Sequence, residues 1–533
     1  MKKYFFLIIT LIIILSSVSG GYYASEVFQK EDSMSIFYDQ KLIRDQVAYL
    51  INKEPYLPCS MLNSYFVGKG MTIDDKNSVM KVDISNKNII MGNQEIENFI
   101  KTNVTTIEIP LRKIEEQNYF PLDVLQTFFQ VRYEIRGKQV HILKNDGDVL
   151  MGTVNKSKVK LKPSVLNPIL SEPYLDYNAR VRIVKETDNY YKVDTGSVTG
   201  YIQKEDITVH TIDYGTIDYY GEIKKKNDYV GKKINLIWEY VNKFTPEASA
   251  EKIEQIEVIS PTWFYLKDRE GNVGNKADRG YANQVKGQGY ELWGLMTNSF
   301  NGEWTQAVLS NEALVNKVIA QMLFYSSLYD LDGINIDFES VNDNDRDNFT
   351  NFMKKLRYYT ELQGLSLTVD VMVPRAWTIE YDRKALSNYT DYMAVMTYDE
   401  HWSASPVAGS VASYNWVEDN IQRTLQEGVP KEKLLLGIPL YTRLWTTENG
   451  KVSSKTLYME DVKTIIREKG LQPTWLEDAK QYYLRYEEAG KICEIWIEDF
   501  ESIEWKRKLI DRYGLAGSAY WRKGFETVDF WNK

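Results

Sequence analysis

The ten residues from position 331 to position 340, LDGINIDFES, alternate apolar and polar side chains. Successive side chains of a β-strand point to opposite faces, so Asn335, Asp337 and Glu339 share one face and the apolar residues between them share the other. An apolar outer face and a carboxylate-bearing inner face are typical of a strand in a closed parallel barrel, where functional groups lie at the carboxyl ends of the strands. The run therefore predicts a barrel strand with Glu339 at the mouth of the barrel.

Asp337 and Glu339 lie two positions apart, which is close enough for their titrations to be coupled. When two neighbouring carboxyls are partly desolvated, one of them has a raised pKa and keeps its proton near neutral pH. A general acid needs such a protonated carboxyl. The spacing alone is also compatible with the less favoured alternative, a solvated strand end that bears two ordinary acids.

From about position 227 to the end, the sequence repeats a strand followed by a helix, as a parallel barrel requires. Helices are predicted at Asn311–Tyr329 and Asp347–Tyr359. Eight strands over roughly 300 residues suit a (β/α)8 or TIM barrel. The predicted strands are Ile234–Trp238, Ile256–Ser260, Glu291–Met296, Gly333–Glu339, Ser366–Val373, Tyr392–Tyr398, Leu434–Tyr441 and Leu515–Trp521.

The chain of 533 residues exceeds what one hydrophobic core usually supports, so a multidomain protein is predicted. We expect an N-terminal α+β module at residues 33–146, a central small β-barrel at 150–209, and the TIM barrel at 227–533. Two lysines followed by a short apolar run predict a signal peptide or an N-terminal membrane anchor within residues 1–24. The protein is therefore expected to be exported, and to be extracellular or associated with the cell envelope.

Charge and composition exclude several classes of function. A net charge of −9 argues against nucleic acid as a partner. Two cysteines, Cys59 and Cys493, do not make a disulfide framework, and three scattered histidines argue against a metal site built from histidine. Asp343, Asp345 and Asp347 have the spacing of a calcium loop but lack its glycine and final glutamate, so we interpret them as residues that begin a helix. No metal and no cofactor are expected.

The segment Asp332–Glu339 resembles the fourth-strand signature of glycoside hydrolase family 18, the chitinase-like enzymes, which is written Asp-Gly-x-Asp-x-Asp-x-Glu. Asn335 stands where chitinases usually have Asp, and Phe338 stands where they often have Trp. The form with asparagine resembles the branch that cleaves bacterial peptidoglycan, including spore-cortex-lytic glucosaminidases. Since one carboxylate of the usual relay is missing, Asp337 is expected to have one partner fewer with which to share a proton.

Three later strand ends also resemble this family. Met396–Asp399 is similar to its Met-x-Tyr-Asp element, whose tyrosine and aspartate hold the substrate's N-acetyl group. Gly437–Arg443 is similar to Gly-x-Pro-x-Tyr-x-Arg, and Gly514–Trp521 resembles the eighth strand, whose final tryptophan forms the floor of the sugar site. The substrate-binding residues implied by the resemblance are Asp399, Met396, Tyr441, Arg443 and Trp521, with Asn298 after the third strand as a further candidate.

The resemblance implies a retaining, substrate-assisted mechanism. Glu339 would protonate the glycosidic oxygen while the substrate's own N-acetyl oxygen attacks the anomeric carbon. Asp337 would orient the amide and stabilise its growing positive charge, with help from Tyr398. Glu339 would then act as the base toward water.

Pro473–Asp499, between the seventh and eighth strands, contains two segments that are predicted to pair as a hairpin, 481–486 and 494–499. This insertion resembles the short one of the peptidoglycan-acting branch and not the larger insertion domain of processive chitinases. The expected function is hydrolysis of β-1,4 linkages in a cell-wall polymer that contains N-acetylglucosamine, either peptidoglycan or spore cortex. The alternatives are a chitinase that acts on chitin oligomers and a non-catalytic lectin-like protein. The presence of Glu339 argues against the lectin, because such relatives typically lose the acid.

The two modules before the barrel also have resemblances. Residues 33–146 resemble the copper amine oxidase N-terminal-like module of bacterial surface proteins, on the helix-then-strand pattern of residues 118–135 and without copper ligands. This likeness suggests a wall-associated or spacer domain.

Residues 150–209 resemble a bacterial SH3 domain, on the segments 181–194 and 200–202. Such a domain would contact wall peptides or glycans, and three tyrosines could line its groove. The same rings also fit the core of a small barrel. The tyrosines are Tyr190, Tyr191 and Tyr201.

Overall fold

The computed structural model of the chain describes residues 33–39, 41–65, 70–129, 133–142, 148–162, 174–195, 199–213, 218–221, 223–224 and 233–532. The signal peptide or anchor predicted within residues 1–24 lies outside these ranges. Within them, no helix has both the length and the apolar character that crossing a membrane requires.

The N-terminal part combines helices with two main sheets. Its strands are β1 (Ser33–Tyr38), β2 (Lys41–Ile51), β3 (Glu54–Pro58), β4 (Met71–Asp74), β5 (Val79–Asp83), β6 (Asn88–Ile90), β7 (Thr106–Pro110), β8 (Arg112–Ile114), β9 (Gln117–Pro121), β10 (Tyr133–Ile135) and β11 (Gln139–Ile142). Its helices are α1 (Ser60–Tyr65), α2 (Gln94–Asn103) and α3 (Leu122–Phe129). One sheet has the order β10-β11-β1-β2-β3-β9-β8, and the other has the order β4-β5-β7. The helix and the strand predicted from residues 118–135 are present as α3 and β10.

The middle part is a small β structure with its own core. Its strands are β12 (Asp148–Val154), β13 (Val159–Lys160), β14 (Tyr174–Leu175), β15 (Arg180–Glu186), β16 (Tyr190–Asp194), β17 (Thr199–Gln203) and β18 (Ile207–Asp213). The next strand, β19 (Asp218–Tyr220), pairs with β6 of the N-terminal part. Five strands of the middle part form an antiparallel sheet in the order β17-β16-β15-β12-β18. Tyr191 packs against the core of this sheet, whereas Tyr190 and Tyr201 are half-buried.

The C-terminal part is a closed barrel of eight parallel strands with an antiparallel insertion. Its strands are β20 (Ile234–Glu239), β21 (Val258–Pro261), β22 (Phe264–Leu266), β23 (Val273–Asn275), β24 (Glu291–Thr297), β25 (Gly333–Asp337), β26 (Ser366–Met372), β27 (Tyr392–Met396), β28 (Leu434–Pro439), β29 (Tyr441–Glu448), β30 (Lys451–Tyr458), β31 (Thr474–Leu476), β32 (Gln481–Glu488), β33 (Lys491–Ile497) and β34 (Gly517–Trp521). Its helices are α4 (Arg279–Gly287), α5 (Gly302–Leu309), α6 (Glu312–Leu328), α7 (Arg346–Gln363), α8 (Arg383–Asn388), α9 (Tyr414–Gln426), α10 (Met459–Lys469) and α11 (Phe500–Tyr513). The barrel order is β20-β21-β24-β25-β26-β27-β28-β34, and β34 closes on β20. All eight predicted barrel strands are confirmed.

The two predicted helices precede and follow the central strand along the chain. Capping residues mark the start of the first helix and the end of the second. Before α6, the Asn311 side chain accepts hydrogen bonds from the N–H groups of Ala313 and Leu314. After α7, Gly364 takes a left-handed conformation with φ of 73°, which a side chain would strain. Asp343–Asp345 form a short 3₁₀ turn that leads into α7, as expected for residues that begin a helix.

The predicted faces of the central strand are also confirmed. Ile334 and Ile336 belong to the outer core shared with the helices, whereas Asn335 contacts Trp238 of the barrel interior. The strand is shorter than predicted because its ladder ends at Asp337. Beyond it, the backbone of Glu339 bonds to a side chain and not to a neighbouring strand.

The insertion between β28 and β34 is larger than the sequence predicted. The predicted hairpin exists as β32 and β33, but it belongs to a five-stranded sheet of order β30-β29-β33-β32-β31, accompanied by α10. The missed strands, β29 and β30, are joined at Asn449-Gly450, where both residues have positive φ, as a two-residue hairpin turn requires. The insertion is therefore a five-stranded sheet with a helix and not a lone hairpin.

The N-terminal part packs directly on the barrel and shares its largest hydrophobic core. Between them the rings of Phe99 and Tyr359 stack 3.9 Å apart. Buried polar groups also pair across this interface, since Asp278 accepts a hydrogen bond of 2.9 Å from Tyr56 and forms an ion pair with Arg112. The N-terminal part is therefore joined to the barrel through a buried interface that includes paired polar groups.

We expect Phe324→Ala to lower the free energy of unfolding by about 3–5 kcal/mol, because its fully buried ring packs across the interface. The ring lies 4.6 Å from that of Tyr219 and 6.3 Å from that of Phe128. Denaturant unfolding measures the loss, and Val528→Ala, at an almost fully exposed position, is the matched control. Equal stability of the two variants would contradict a shared core.

Candidate active site

A cavity of about 290 Å³ opens at the carboxyl ends of the barrel strands. It brings together seven of the nine site residues predicted from the sequence. They are Asp337, Glu339, Met396, Tyr398, Asp399, Tyr441 and Trp521. The wall also includes Trp238, Phe300, Asp370 and Met372, which the sequence analysis did not single out.

The position of Glu339 is set by hydrogen bonds to its backbone. The Asn298 side chain accepts a hydrogen bond from the Glu339 N–H at 3.0 Å and donates one to the Glu339 carbonyl at 2.5 Å. Burial raises the pKa of the Glu339 carboxyl to about 8, and the negative charges of Asp337 and Asp399 add to this effect. Glu339 therefore holds a proton at neutral pH, as a general acid must.

Asn298 was predicted to bind substrate, but its side chain is fully buried behind the cavity wall. Besides Glu339, it donates to the Thr305 hydroxyl at 2.8 Å. Tyr381, which sequence reasoning missed, fixes the preceding residue, because its buried hydroxyl donates to the Phe338 carbonyl at 2.8 Å. Both side chains hold the end of β25 and so set the position of the acid.

We expect Asn298→Ala to reduce kcat by about a hundredfold with little change in KM, because a small displacement of a catalytic group has effects of this size. Steady-state kinetics checks this result. Thr305→Val removes a different side-chain hydrogen bond of Asn298 without touching Glu339, and it serves as the control. Equal kcat values for the two variants would show that the Asn298 bonds to Glu339 do not matter.

Asp337 ends β25 with a buried carboxyl. Burial and then the negative charge of Asp370 raise its pKa well above the ordinary value. Among the described residues its Oδ1 atom has no hydrogen-bond partner. An unpaired buried carboxylate oxygen is costly, so it fits an atom kept for a ligand.

Asn335 and Asp370 form a buried polar layer beneath the cavity. The Asn335 amide oxygen accepts from Trp238 Nε1 at 2.8 Å and from Ser260 Oγ at 3.1 Å, and its nitrogen donates to Asp370 Oδ1 at 2.8 Å. Asp337 also has a carboxyl neighbour that the sequence analysis did not single out, because the adjacent strand β26 supplies Asp370. A signal existed, since Asp370 interrupts an apolar strand at an inward-facing position.

Asp399 follows β27 and is held by two of the predicted residues. Its Oδ1 accepts from the Tyr441 hydroxyl at 2.8 Å and from Arg443 at 3.0 Å. Arg443 is buried and does not line the cavity, so it acts on Asp399 and not on the open space. Burial, and then the charge of Asp370, raise the pKa of the Tyr398 hydroxyl well above its usual value, so this group stays a hydrogen-bond donor.

Two tryptophans form the floor of the cavity. The rings of Trp238 and Trp521 meet edge to face with centroids 5.9 Å apart. The Trp238 nitrogen is occupied by Asn335, and Trp521 is partly exposed to the cavity. An apolar floor of this kind stacks on a sugar ring and excludes water.

Exposed aromatic rings lie on the loops that follow β24, β26 and β27 at the cavity end of the barrel, and one of them, Phe300, lines the cavity. Phe300 is 59% exposed, Trp377 is 74% exposed and Trp402 is 51% exposed. Large exposed rings at the rim of a cavity are typical of an interaction surface. In the described ranges, no group of three or more His, Cys, Asp or Glu side chains is arranged to hold a metal ion.

Comparisons with known proteins agree with this geometry. Residues 297–525 match the model of the family Glycosyl hydrolases family 18. The glycosylase YvbX of Bacillus subtilis (strain 168) is 26% identical over 279 residues, which cover 50% of this chain and 80% of YvbX. The cortical fragment-lytic enzyme of Bacillus anthracis is 24% identical over 247 residues, which cover 44% of this chain and 56% of that enzyme.

Among solved structures, a chitinase from Chromobacterium violaceum ATCC 12472 aligns with a TM-score of 0.50 at 24% identity. The alignment covers 56% of this chain and 97% of that one. At this identity the likeness shows the fold alone.

Proposed function

We propose that this glycoside hydrolase is a retaining, substrate-assisted enzyme. The premise is that residues 297–525 form a glycoside hydrolase family 18 domain. Its substrate would be a β-1,4-linked cell-wall polymer that contains N-acetylglucosamine, either peptidoglycan or spore cortex. One observation carries the proposal: the same cavity contains Glu339, with a pKa raised to about 8, and Asp337, whose Oδ1 has no hydrogen-bond partner among the described residues.

The proposed reaction begins with the proton of Glu339. This proton passes to the glycosidic oxygen as the bond to the anomeric carbon breaks. The N-acetyl oxygen of the same sugar attacks that carbon, while Asp337 accepts a hydrogen bond from the amide N–H and stabilises the positive charge that forms there. The Tyr398 hydroxyl and Asp399 hold the N-acetyl group and the sugar hydroxyls.

The second half of the reaction restores the enzyme. Glu339, now ionised, removes a proton from water, and the oxygen of this water attacks the anomeric carbon. The bond to the N-acetyl oxygen breaks, so the product keeps the configuration of the substrate. Both displacements occur on the apolar floor of Trp238 and Trp521, which keeps bulk water away from the reacting charge.

Two observations bear on the polymer. The relationship to a cortical fragment-lytic enzyme and the asparagine at position 335 favour the cell wall. Retention of Glu339, with its raised pKa, supports an enzyme over a lectin.

We also propose that the protein is exported and acts at the cell envelope. The amino-terminal lysines and apolar run of residues 1–24 support export or membrane anchoring. In the middle part, Lys162 and Lys204 lie 5.0 and 5.3 Å from the rings of Tyr190 and Tyr191. A surface of rings and ammonium groups suits contact with wall peptides or glycans.

The rim aromatics predict how a long substrate binds. Loss of one stacking ring costs about 1 kcal/mol, so Trp402→Ala is expected to raise KM for the polymer about fivefold. A short aryl glycoside that fills only the cavity should show no change. Trp475→Ala, at a tryptophan on strand β31 of the insertion and not on a loop that follows a barrel strand, is the control. An equal rise in KM for short and long substrates would contradict a role in polymer binding.

Mass spectrometry of the products tests the proposed function. The full chain is incubated in parallel with peptidoglycan, spore cortex and chitin oligomers. Fragments with reducing-end N-acetylglucosamine from peptidoglycan or cortex, and few from chitin, would support the wall-lytic enzyme. Cleavage of chitin alone would favour a chitinase. Binding without cleavage of any of the three would overturn both.

A further inference from the structure

Asp370 is a buried carboxyl next to the catalytic strand and outside the motifs of the site. It lies on β26, which pairs with β25, and its side chain is 1% exposed at the base of the cavity. Among the described residues, neither Asp370 nor Asp337 forms an ion pair with a cation. Burying a carboxyl without a cation costs free energy of folding, so we expect the charge or the proton of Asp370 to have a function.

The orientation of Asn335 defines what Asp370 can do. Trp238 Nε1 can only donate, so the Asn335 atom that faces it is the amide oxygen. The amide nitrogen then faces Asp370 and donates to its Oδ1. Asn335 thereby aligns Asp370 but has no acceptor left on that side, so it cannot take a proton from it.

The other groups that face Asp370 and Asp337 are acids or neutral donors. Glu339, two residues after β25, acts on Asp370; the Tyr398 hydroxyl, two residues after β27, is affected by both charges; and Asp399 acts on Glu339. Two buried carboxyls in such surroundings cannot both be ionised at neutral pH, so the pair holds one proton between them.

We propose that Asp370 is the proton-sharing partner of Asp337, in place of the carboxylate that Asn335 replaces. As positive charge grows on the substrate's amide, the proton of the pair resides on Asp370, and Asp337 is left as an anion that accepts the amide N–H. When the charge disappears, the proton returns. One O–H bond breaks and one forms, and the total charge of the pair is unchanged. The inference rests on the proposed function, and Asp370 is a positioning residue because it acts through Asp337.

Asp370→Asn tests this role without disturbing the packing, because the amide oxygen can still accept from Asn335. We expect kcat to fall by about 10–100-fold, KM to change less than about threefold, and one limb of the pH profile to move by about one unit or more. A merely structural Asp370 would leave both kcat and the pH profile unchanged, and that result would overturn the proposal.

The exchange variant Asn335→Asp/Asp370→Asn is the matched rescue. It moves the carboxyl to β25, where Trp238 and Ser260 still donate to it, and it keeps the hydrogen bond between the two strands with reversed direction. We expect kcat within about fivefold of the wild type and a restored pH profile. A folded exchange variant as slow as Asp370→Asn would overturn the proposal. If Asp370→Asn does not fold, the exchange variant alone decides.

Glu339→Gln, assayed in parallel, separates this inference from the proposed function. If Glu339→Gln is inactive and Asp370→Asn resembles the wild type, only the role of Asp370 fails. If Glu339→Gln keeps its turnover, the proposed function itself fails, and the proposal for Asp370 fails with it.

Discussion

Glu339→Gln is expected to reduce kcat about a thousandfold while KM changes little, because a general acid contributes roughly 10²–10⁴-fold and glutamine keeps the shape of the side chain. The variant should keep the wild-type melting temperature, since Asn298 holds the backbone of residue 339 and not its carboxyl. Glu380→Gln, at another buried carboxyl that does not line the cavity, is the matched control and should retain full activity. Wild-type turnover by Glu339→Gln would remove the acid from the mechanism.

The pH dependence of the wild type adds a second readout for the same residue. The active form carries the proton, so kcat/KM is expected to fall as the pH rises through about 8, the pKa of Glu339. Asp399 contributes negative charge that raises this pKa. Asp399→Asn should therefore move the alkaline limb to lower pH, whatever its effect on binding. An unchanged limb would show that another group limits activity at high pH.

Asp337→Asn is expected to reduce kcat by about 10²–10³-fold, the usual effect of removing a group that stabilises transition-state charge. The amide fills the same space but offers no negative charge to the positively charged intermediate that forms when the N-acetyl oxygen attacks the anomeric carbon. The charge of Asp337 also raises the pKa of Glu339, so the alkaline limb should move to lower pH in this variant.

Steady-state kinetics over a range of pH measures both effects of Asp337→Asn. Asp345→Asn changes a carboxyl that is equally buried but lies at the start of α7, and it should behave as the wild type. Loss of substrate affinity with unchanged kcat would contradict the assigned role of Asp337, because it would indicate a contact made equally in the ground state.

The barrel and most of its site could be predicted because both depend on local patterns. Alternation in residues 331–340 placed Asn335, Asp337 and Glu339 on the inner face, and strand-end motifs placed Tyr398 and Trp521 at the mouth. Closure of the barrel then brings these ends together without further information.

Other parts of the site depend on contacts between strands and loops that are distant along the chain, and a single sequence does not reveal these contacts. Asp370 and Tyr381 act on the end of β25 from β26 and from the loop after it, more than 30 residues away along the chain. The docking of the N-terminal part was equally hidden, because an apolar helix face such as that of α2 also fits a separate domain. The missed strands of the insertion are different, since their Asn449-Gly450 turn was a readable signal.

The anomeric configuration of the first product tests the central claim most directly. Proton NMR follows the reducing end as it forms on the polymer that the parallel digestion identifies. The substrate-assisted mechanism predicts that the β-anomer appears first and that the α-anomer follows by mutarotation. First appearance of the α-anomer would mean direct attack by water, and it would contradict the roles assigned here to Glu339 and Asp337.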